Sequence, residues 1–353
     1  MTKPIIYAVG PEFLARDHLN TKVEEWEDGQ RASTNCGEFE WWYFDAHFED
    51  GSTAVIVYAT KPIINPRTRL TPNLSITITP PGKEKQARFS LPDASTYSAS
   101  TKACDVHLGP SWVRQSQQDG HWVYELHAES GDLCADLTFT SVVPPWRPGA
   151  GKCYFGDLEH YFAWMPAIPF GTVEGSLLYE GREHAVRGTG YHDHNWGNVA
   201  LPSVMDHWYW GRAQVGDYTL IFVEQIAARK YGSQRLPVFL LAKGDKVLAD
   251  DSRYFSLQTG DFVKHAGGRE YPREVDFTYA WEGERVQLRL RDHVMIEGVS
   301  LLLAVPPAVR RVARLFTNPY YFRFNSTLDL DIQLKELQDK VSGPALFEIM
   351  MLR

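Results

Sequence analysis

The segment from Thr189 to Asn198 carries two histidines, an aspartate, a tyrosine, an asparagine and a tryptophan between two glycines. Side chains on a β-strand point alternately to opposite faces of the sheet. A strand here would divide the six residues into two sets: His192, His194 and Trp196 on one face, and Tyr191, Asp193 and Asn195 on the other. No other stretch is as dense in groups that donate, accept or transfer a proton. We therefore treat this segment as the provisional centre of a functional site.

Three interpretations fit this segment. His192 and His194 could bind zinc or iron with His207 as a third ligand, although no acidic or cysteine ligand stands at a familiar spacing. Asp193 could act as an acid beside Tyr191, because desolvation in an aromatic pocket raises the pKa of a carboxyl group. The segment could also be a structural network, because buried polar groups must be hydrogen-bonded. The residues alone leave the acid and the structural interpretations equally open.

Composition and missing motifs narrow the class of protein. The net charge of −8 gives no basic surface for nucleic acid, and the 13% of aromatic residues is typical of sheets and of apolar ligand pockets. No signal peptide is recognisable, and no apolar run reaches the roughly 18 residues of a membrane span. Four scattered cysteines favour a reduced, cytoplasmic protein. Dinucleotide, P-loop and nucleophile-elbow motifs are missing, which argues against nucleotide-dependent and acyl-enzyme chemistry.

The chain reads as a succession of antiparallel hairpins. An aromatic strand over 40–48 leads through the turn Glu49–Ser52 into an apolar strand over 53–58. Similar strand and turn patterns recur to the end of the chain, which is typical of antiparallel sandwiches or barrels. One amphipathic helix is predicted over Pro307–Phe316. Its arginines are expected to face solvent, and the alternative is a basic helix that lies on a membrane surface.

An internal repeat indicates two domains. The matching segments occur in the same order at nearly the same spacing: Glu40–Phe44 with Asp206–Trp210, Thr53–Val57 with Thr219–Val223, and Val142–Pro145 with Ala304–Pro307. Such a repeat predicts a duplicated β unit, with domains over 1–200 and 201–353. The polar segment would then lie at the seam between the domains, where ligand sites often form.

Six aromatic residues are candidates for the wall of a substrate pocket: Trp42, Tyr43, Trp164, Trp196, Trp208 and Tyr209. Aromatic side chains on strands usually belong to the core, but their π faces can also stabilise a developing cation. Glu224 lies on an apolar strand, so it is either paired or functional. We expect Arg212 across the hairpin to be its partner. His160 is a further candidate, because the turn after Trp164 could present both residues to one cavity.

The strand Glu40–Asp45, the segment Gly190–Gly197 and the strand His207–Gly211 together resemble the hydroxyneurosporene synthase/AttH-like family. That resemblance implies two lipocalin-like β domains with a cofactor-free pocket at or near their seam. It also implies protonation by a tyrosine and an aspartate two residues apart, which match Tyr191 and Asp193. The family's carotenoid 1,2-hydratases also use a histidine and a tryptophan two residues apart. The nearest match here is His160 with Trp164, at a different spacing.

We therefore expect an all-β protein of two lipocalin-like antiparallel barrels or sandwiches. The expected function is cofactor-free cyclisation of a lipophilic, unsaturated terpenoid or polyketide intermediate, of the isomerase or pericyclase type. Asp193 and Tyr191 would polarise or protonate the substrate. One alternative is hydration of a terminal C=C of a carotenoid or other terpenoid, with Trp42 and Trp208 facing the cation. Another is a protein that binds a lipophilic ligand without catalysis.

Overall fold

The computed structural model describes residues 2–62, 68–304 and 318–353. The chain divides into two compact units: an N-terminal unit, Ile6–Ala200, and a C-terminal unit, Leu201–Arg353 with the first five residues. The helix predicted over 307–316 and the second Val-Pro-Pro motif, at 305–307, lie outside the described residues. Within the described ranges, no helix has the length and apolar character needed to cross a membrane.

The N-terminal unit is built on one antiparallel sheet, with the short helix α1 (Pro11–Arg16) before it. Its strands are β1 (Ile5–Tyr7), β2 (Phe39–Phe48), β3 (Thr53–Ala59), β4 (Asn73–Thr79), β5 (Gln86–Ser90), β6 (Tyr97–Ala99), β7 (Asp105–Leu108), β8 (Ser111–Gln118), β9 (His121–Ser130), β10 (Leu133–Ser141), β11 (Lys152–Phe155), β12 (Tyr161–Tyr179) and β13 (Arg182–Gly197). The main order is β5-β4-β3-β2-β13-β12-β10-β9-β8-β7-β6, and β11 pairs with both β1 and β12.

The C-terminal unit begins with the short helix α2 (Leu201–Val204) and forms a second antiparallel sheet. Its strands are β14 (Met205–Val215), β15 (Tyr218–Ala227), β16 (Arg235–Lys243), β17 (Lys246–Ala249), β18 (Phe255–Lys264), β19 (Glu270–Trp281), β20 (Glu284–Ser300), β21 (Tyr320–Leu334) and β22 (Leu337–Met351). Their order in the sheet is β17-β16-β15-β14-β22-β21-β20-β19-β18.

The two sheets share one strand order. In each, the aromatic strand of the first hairpin pairs on its other side with the last strand of the unit: β2 with β13, and β14 with β22. The segments that recur in the sequence are these first hairpins. Their turns contain Gly51 and Gly216, at φ 87° and 58°, a left-handed conformation that glycine adopts without a Cβ clash. The predicted antiparallel all-β architecture is confirmed.

Each unit has its own hydrophobic core, formed by alternate residues of its strands. On β2, Trp42, Phe44 and Ala46 point into the N-terminal core and are almost completely buried. The long strand β13 lies between β2 and β12 in the middle of this sheet. The polar segment found in the sequence is the final part of β13, so its side chains are held on both sides by backbone ladders.

Candidate active site

The carboxyl group of Asp193 lies at the centre of a set of hydrogen-bond donors. Oδ2 accepts hydrogen bonds from the Tyr191 hydroxyl at 2.7 Å and from Nε1 of Trp164 at 2.8 Å. Oδ1 accepts one from Nδ2 of Asn195 at 2.6 Å. The Asp193 residue is 7% exposed and Tyr191 is fully buried. As strand alternation predicts, Tyr191, Asp193 and Asn195 lie on the same face of β13. There they form one hydrogen-bonded group.

Burial and hydrogen bonding act in opposite directions on Asp193. Burial raises the pKa of this carboxyl group, because the charged form loses its hydration. The hydrogen bonds from Trp164, Tyr191 and Asn195, with the charge of His192, favour the carboxylate and offset part of that effect. The net pKa is raised, so Asp193 keeps its proton to a higher pH than an ordinary aspartate.

A second tyrosine–aspartate pair stands directly beside the first. In the pairing of β13 with β2, Asp193 lies opposite Tyr43 and Tyr191 lies opposite Asp45. The Tyr43 hydroxyl donates a hydrogen bond to Oδ2 of Asp45 at 3.2 Å, and the Tyr43 and Tyr191 rings meet edge-on at 6.3 Å. Sequence reasoning missed Asp45. The signal was present, because Tyr43-Phe44-Asp45 repeats the Tyr-Xaa-Asp spacing of Tyr191-His192-Asp193.

The opposite face of β13 carries a separate, fully buried network. His192 Nε2 lies 3.0 Å from Oδ2 of Asp28, and its Nδ1 lies 2.9 Å from the carbonyl oxygen of Tyr43. His194 lies between two carboxyl groups, with Nε2 2.8 Å from Glu40 Oε1 and Nδ1 3.3 Å from Asp28 Oδ1. The ring nitrogens of both histidines thus face oxygen partners of the protein. This arrangement matches the structural interpretation for that half of the segment.

The pKa values of His194, Asp28 and Glu40 in this network are shifted in different directions. Burial disfavours the imidazolium of His194, but hydrogen bonds and charges from Asp28 and Glu40 outweigh it and raise its pKa to about 9. Burial also opposes ionisation of Asp28, yet the charges and hydrogen bonds of His192 and His194 hold its pKa well below the usual range. Burial raises the pKa of Glu40. His194 is therefore a buried cation that lies between Glu40, 2.8 Å from its Nε2, and Asp28, 3.3 Å from its Nδ1.

Two of the predicted pocket walls lie on this second face. Trp42 is a correction: it is 0% exposed, its ring stacks on His194 at 4.8 Å, and its Nε1 donates to the Asp28 carbonyl at 3.0 Å. It belongs to the core and points away from Asp193, because neighbouring positions on a strand face opposite ways. Trp196 also lies on the His194 face. It borders a cleft of about 190 Å³ lined also by Trp26, Arg31 and Tyr161.

Trp164 and His160, expected to share a cavity, lie in different surroundings. Trp164 is buried on β12 and bonded to Asp193. The His160 side chain is 57% exposed in the turn before β12, and its Nδ1 lies 2.8 Å from Asp157. In the described part of the chain, no hydrogen bond joins His160 to Asp193 or Tyr191. The residue two positions before Trp164 is Phe162, whose ring stacks on Trp41 at 6.0 Å.

The remaining candidates belong to the C-terminal unit. Tyr209 packs in its core and stacks on Phe347, and Trp208 is half-buried on the same strand. Glu224 is 2% exposed and is paired, but its partner is Arg235, whose Nε lies 2.7 Å from Oε1. The predicted partner Arg212 is wrong. The pairing of β14 with β15 places Arg212 opposite Ile221, whereas Arg235 lies on the neighbouring strand β16.

Two antiparallel sheets with separate cores define a lipocalin-like β protein, and a buried aspartate held by three hydrogen-bond donors lies on a central strand of the first sheet. The chain belongs to the AttH-like family, whose model matches residues 32–295. This confirms the resemblance seen in the sequence.

Three similar proteins carry names that describe chemistry. A Diels-Alderase of Chaetomium globosum is 25% identical over 277 residues, covering 73% of this chain and 62% of its own. A quinolone epoxide rearrangement protein of Emericella nidulans is 31% identical over 231 residues, 61% of this chain and 60% of its own. The kievitone hydratase structure of Nectria haematococca superposes with a TM-score of 0.57 at 14% identity, over 99% and 98% of the two chains. The alignments thus span about three fifths of the two sequence relatives, and the structural likeness shows the fold.

Proposed function

We propose that this protein is a cofactor-free enzyme that cyclises or rearranges a lipophilic, unsaturated small molecule, with Asp193 as proton or hydrogen-bond donor. The observation that carries this proposal is the buried Asp193 carboxyl group, held by Trp164, Tyr191 and Asn195. Two relatives named for a Diels–Alder reaction and an epoxide rearrangement support the reaction type. A terpenoid or polyketide intermediate is the substrate class that we expect.

The donors define how Asp193 would work. Both of its oxygens already accept hydrogen bonds, so the carboxyl group is fixed in one orientation before a substrate binds. Its raised pKa keeps the proton available for a carbonyl, an epoxide oxygen or an alkene carbon. In an isomerisation Asp193 either donates its proton to the substrate and takes one back, or only donates a hydrogen bond. In both cases the product has the same composition as the substrate.

The proposal is tested by incubating the purified full chain with three probes and analysing the products by mass spectrometry and NMR. The probes are a tethered diene with a carbonyl-activated alkene, an aryl epoxide and a terpenoid with a terminal alkene. An isomer formed by the wild type and lost in Asp193→Asn supports the proposal. His160→Ala is the matched control, because His160 lies at the surface with Asp157, and it should retain the wild-type rate.

Three other outcomes would overturn the proposal. A product heavier by one water, formed from the terminal alkene alone, would make the protein a hydratase that uses the same acid. Saturable binding of the probes with every molecule recovered unchanged would make it a carrier of lipophilic ligands. Unimpaired isomerisation by Asp193→Asn would remove Asp193 from the reaction.

A further inference from the structure

The solvent face of the β9–β10 hairpin carries four metal-ligating side chains in a square. His127 and Glu129 stand two residues apart on β9, and Cys134 and Asp136 stand two residues apart on β10. The register places Asp136 opposite His127 and Cys134 opposite Glu129. Directly opposite residues of an antiparallel pair project from the same face, with Cβ atoms roughly 4.5–5.5 Å apart. Imidazole, thiol and two carboxyl groups are thus brought together by one hairpin.

Three of the donor atoms, from His127, Cys134 and Asp136, lie within 4.8 Å of one another, close to the separations of a coordination shell. Cys134 Sγ is 3.9 Å from His127 Nδ1 and 3.5 Å from Asp136 Oδ2. Ligands of a tetrahedral zinc ion at bond lengths of about 2.0–2.3 Å are separated from one another by roughly 3.3–3.6 Å. His127 Nδ1 and Asp136 Oδ1 lie at the hydrogen-bonding distance of 2.6 Å and would move apart when both bind a metal ion.

A second carboxyl group and two apolar side chains surround these donors. Glu129 Oε2 lies 3.5 Å from the other nitrogen of His127, Nε2, and its half-exposed side chain would have to rotate to become a ligand. Trp112, on the neighbouring strand, stacks on His127 at 6.5 Å, and Leu178 of β12 lies opposite Cys134. Apolar groups of this kind limit solvent around metal ligands and hold them in orientation. The His127 and Cys134 residues are half-buried, so an ion can enter from solvent.

A redox or nucleophilic role for Cys134 fits these surroundings less well than metal binding. Cys134 lies beside two carboxyl groups, with its Sγ 3.5 Å from Asp136 Oδ2 and Glu129 directly opposite it on β9. Reactive cysteines lie in electropositive surroundings, which Cys134 lacks. The same negative charges attract a dication, and a bound metal displaces the thiol proton.

We propose that His127, Cys134 and Asp136 bind a zinc-type divalent ion, with Glu129 or water as the fourth ligand. The ion would link β9 to β10 and stabilise the hairpin. A second set of donor atoms within ligand distance, Asp28, Cys104 and His192, is completely buried. Asp28 and His192 already bond to each other there. That set serves as an alternative to be distinguished by experiment. The zinc site does not depend on the reaction proposed for Asp193.

The test uses the metal-free full chain, titrated with Zn²⁺ by calorimetry and with Co²⁺ by absorption spectroscopy. One Co²⁺ per chain should bind, with a sulfur-to-cobalt charge-transfer band and the intense d–d bands of four-coordinate cobalt. Cys134→Ser should lose the charge-transfer band. His127→Ala should weaken Zn²⁺ binding at least about tenfold. Saturating Zn²⁺ should raise the unfolding temperature of the wild type more than that of either variant.

Matched variants separate this site from other thiols and histidines. Cys36→Ser changes another solvent-accessible cysteine, and His107→Ala changes another histidine beside an aspartate, Asp105. Both should bind metal like the wild type. Circular dichroism of the metal-free variants checks that each is folded. The proposal is overturned if the charge-transfer band survives in Cys134→Ser, if it is lost in Cys104→Ser or Cys36→Ser, or if the folded wild type binds no Zn²⁺.

Discussion

The indole nitrogen of Trp164 donates a hydrogen bond to Asp193 Oδ2 at 2.8 Å, across the ladder between β12 and β13. Tyr191 donates to the same oxygen from within β13. The acid strength of Asp193 is therefore set by two strands together, because Trp164 donates from β12 and Tyr191 and Asn195 donate from β13. Without these donors, burial alone would hold the carboxyl group even more firmly in its neutral form.

Replacing Trp164 by Phe should raise the pKa of Asp193 further. The variant loses one hydrogen bond to the carboxylate and leaves the apolar surroundings in place, so the charged form is disfavoured. An NMR titration of the ¹³C-labelled aspartate carboxyl groups measures this pKa without a substrate. We expect the transition of Asp193 to move to higher pH, because one of the hydrogen bonds that favour the carboxylate is lost.

Trp146→Phe is the control for this titration. The Trp146 ring meets the Trp164 ring at 87° with centroids 6.4 Å apart, so the variant perturbs the same packing without removing the donor to Asp193. An equal shift in both variants would show that packing, rather than the hydrogen bond from Trp164, sets the pKa.

Replacing Asp193 by Asn should lower the rate of the proposed reaction by at least about a hundredfold. The amide has no acidic proton, and its NH₂ group must face one of the donors that now surround the carboxyl group. In the wild type, activity should be present at low pH and fall as pH rises through the raised pKa of Asp193, because the protonated form is the active one. A pH–rate profile measures this limb. A profile that instead rises with pH would identify Asp193 as a base.

Replacing Asp45, the acid of the second tyrosine–aspartate pair, should lower the rate less than replacing Asp193. Asp45→Asn leaves all three donors to Asp193 in place. Asp45 and its hydrogen-bond donor Tyr43 both lie on β2, the strand next to β13. We expect less than about a tenfold loss of rate, with the pH limb unmoved. A loss as large as that of Asp193→Asn, measured in the same assay, would make the two carboxyl groups joint participants.

Much of this arrangement is local, and the sequence predicted that part. Strand alternation places Tyr191, Asp193 and Asn195 on one face, and the hairpin turns follow from glycine and aspartate positions. The prediction that Trp42 lines the substrate pocket was wrong because Trp42 lies on the core face of β2, opposite to the face of Asp193. The strand that holds Trp42 has aromatic residues at four successive positions, Trp41–Phe44, so its pattern does not indicate which side meets the core. The sequence indicated that Glu224 forms an ion pair. Its partner could not be predicted, because Arg235 lies on β16, and the sequence does not show which strand pairs with β15 on that side.

The partners of the histidines could not be predicted, because they come from distant segments. Asp28 lies 164 residues before His192 along the chain, at the end of a short 3-10 helix, Glu25–Asp28, that has no periodic pattern. Glu40 lies 154 residues before His194. Local periodicity gives the direction of a side chain, but it carries no information about which loop folds over it.

Gly190→Ala should destabilise the N-terminal unit by about 1–3 kcal/mol. A Cβ atom at this position would lie 2.5 Å from Val173 Cγ2, 2.6 Å from Phe139 Cε1 and 2.8 Å from the carbonyl oxygen of Asp45. The backbone of β13 would have to move away from β2 beside Tyr191. Urea unfolding followed by tryptophan fluorescence measures the loss. Thr189→Ala, at an exposed neighbouring position, should change stability by less than about 0.5 kcal/mol. Equal stability of Gly190→Ala and the wild type would contradict the close approach.

The buried His194 cation should make stability depend on pH in a defined window. Its pKa is raised from an ordinary 6.5 to about 9, so its stabilising contribution is complete below pH 6.5 and is lost as pH rises to about 9. The loss should amount to about 3 kcal/mol across that window. His194→Gln should be about 3–5 kcal/mol less stable at pH 6, because Asp28 and Glu40 lose their cation, and the pH dependence should be much flatter.

Chemical denaturation between pH 6 and 9 measures both the loss of stability and its slope. His184→Gln is the control on the same strand, where the imidazole stacks on Tyr179 at 4.0 Å, and it should keep the wild-type slope. If His194→Gln retains the full slope, another group is responsible for the pH dependence. If stability instead rises with pH in the wild type, His194 is neutral in the folded protein and the charge assignment of the network is wrong.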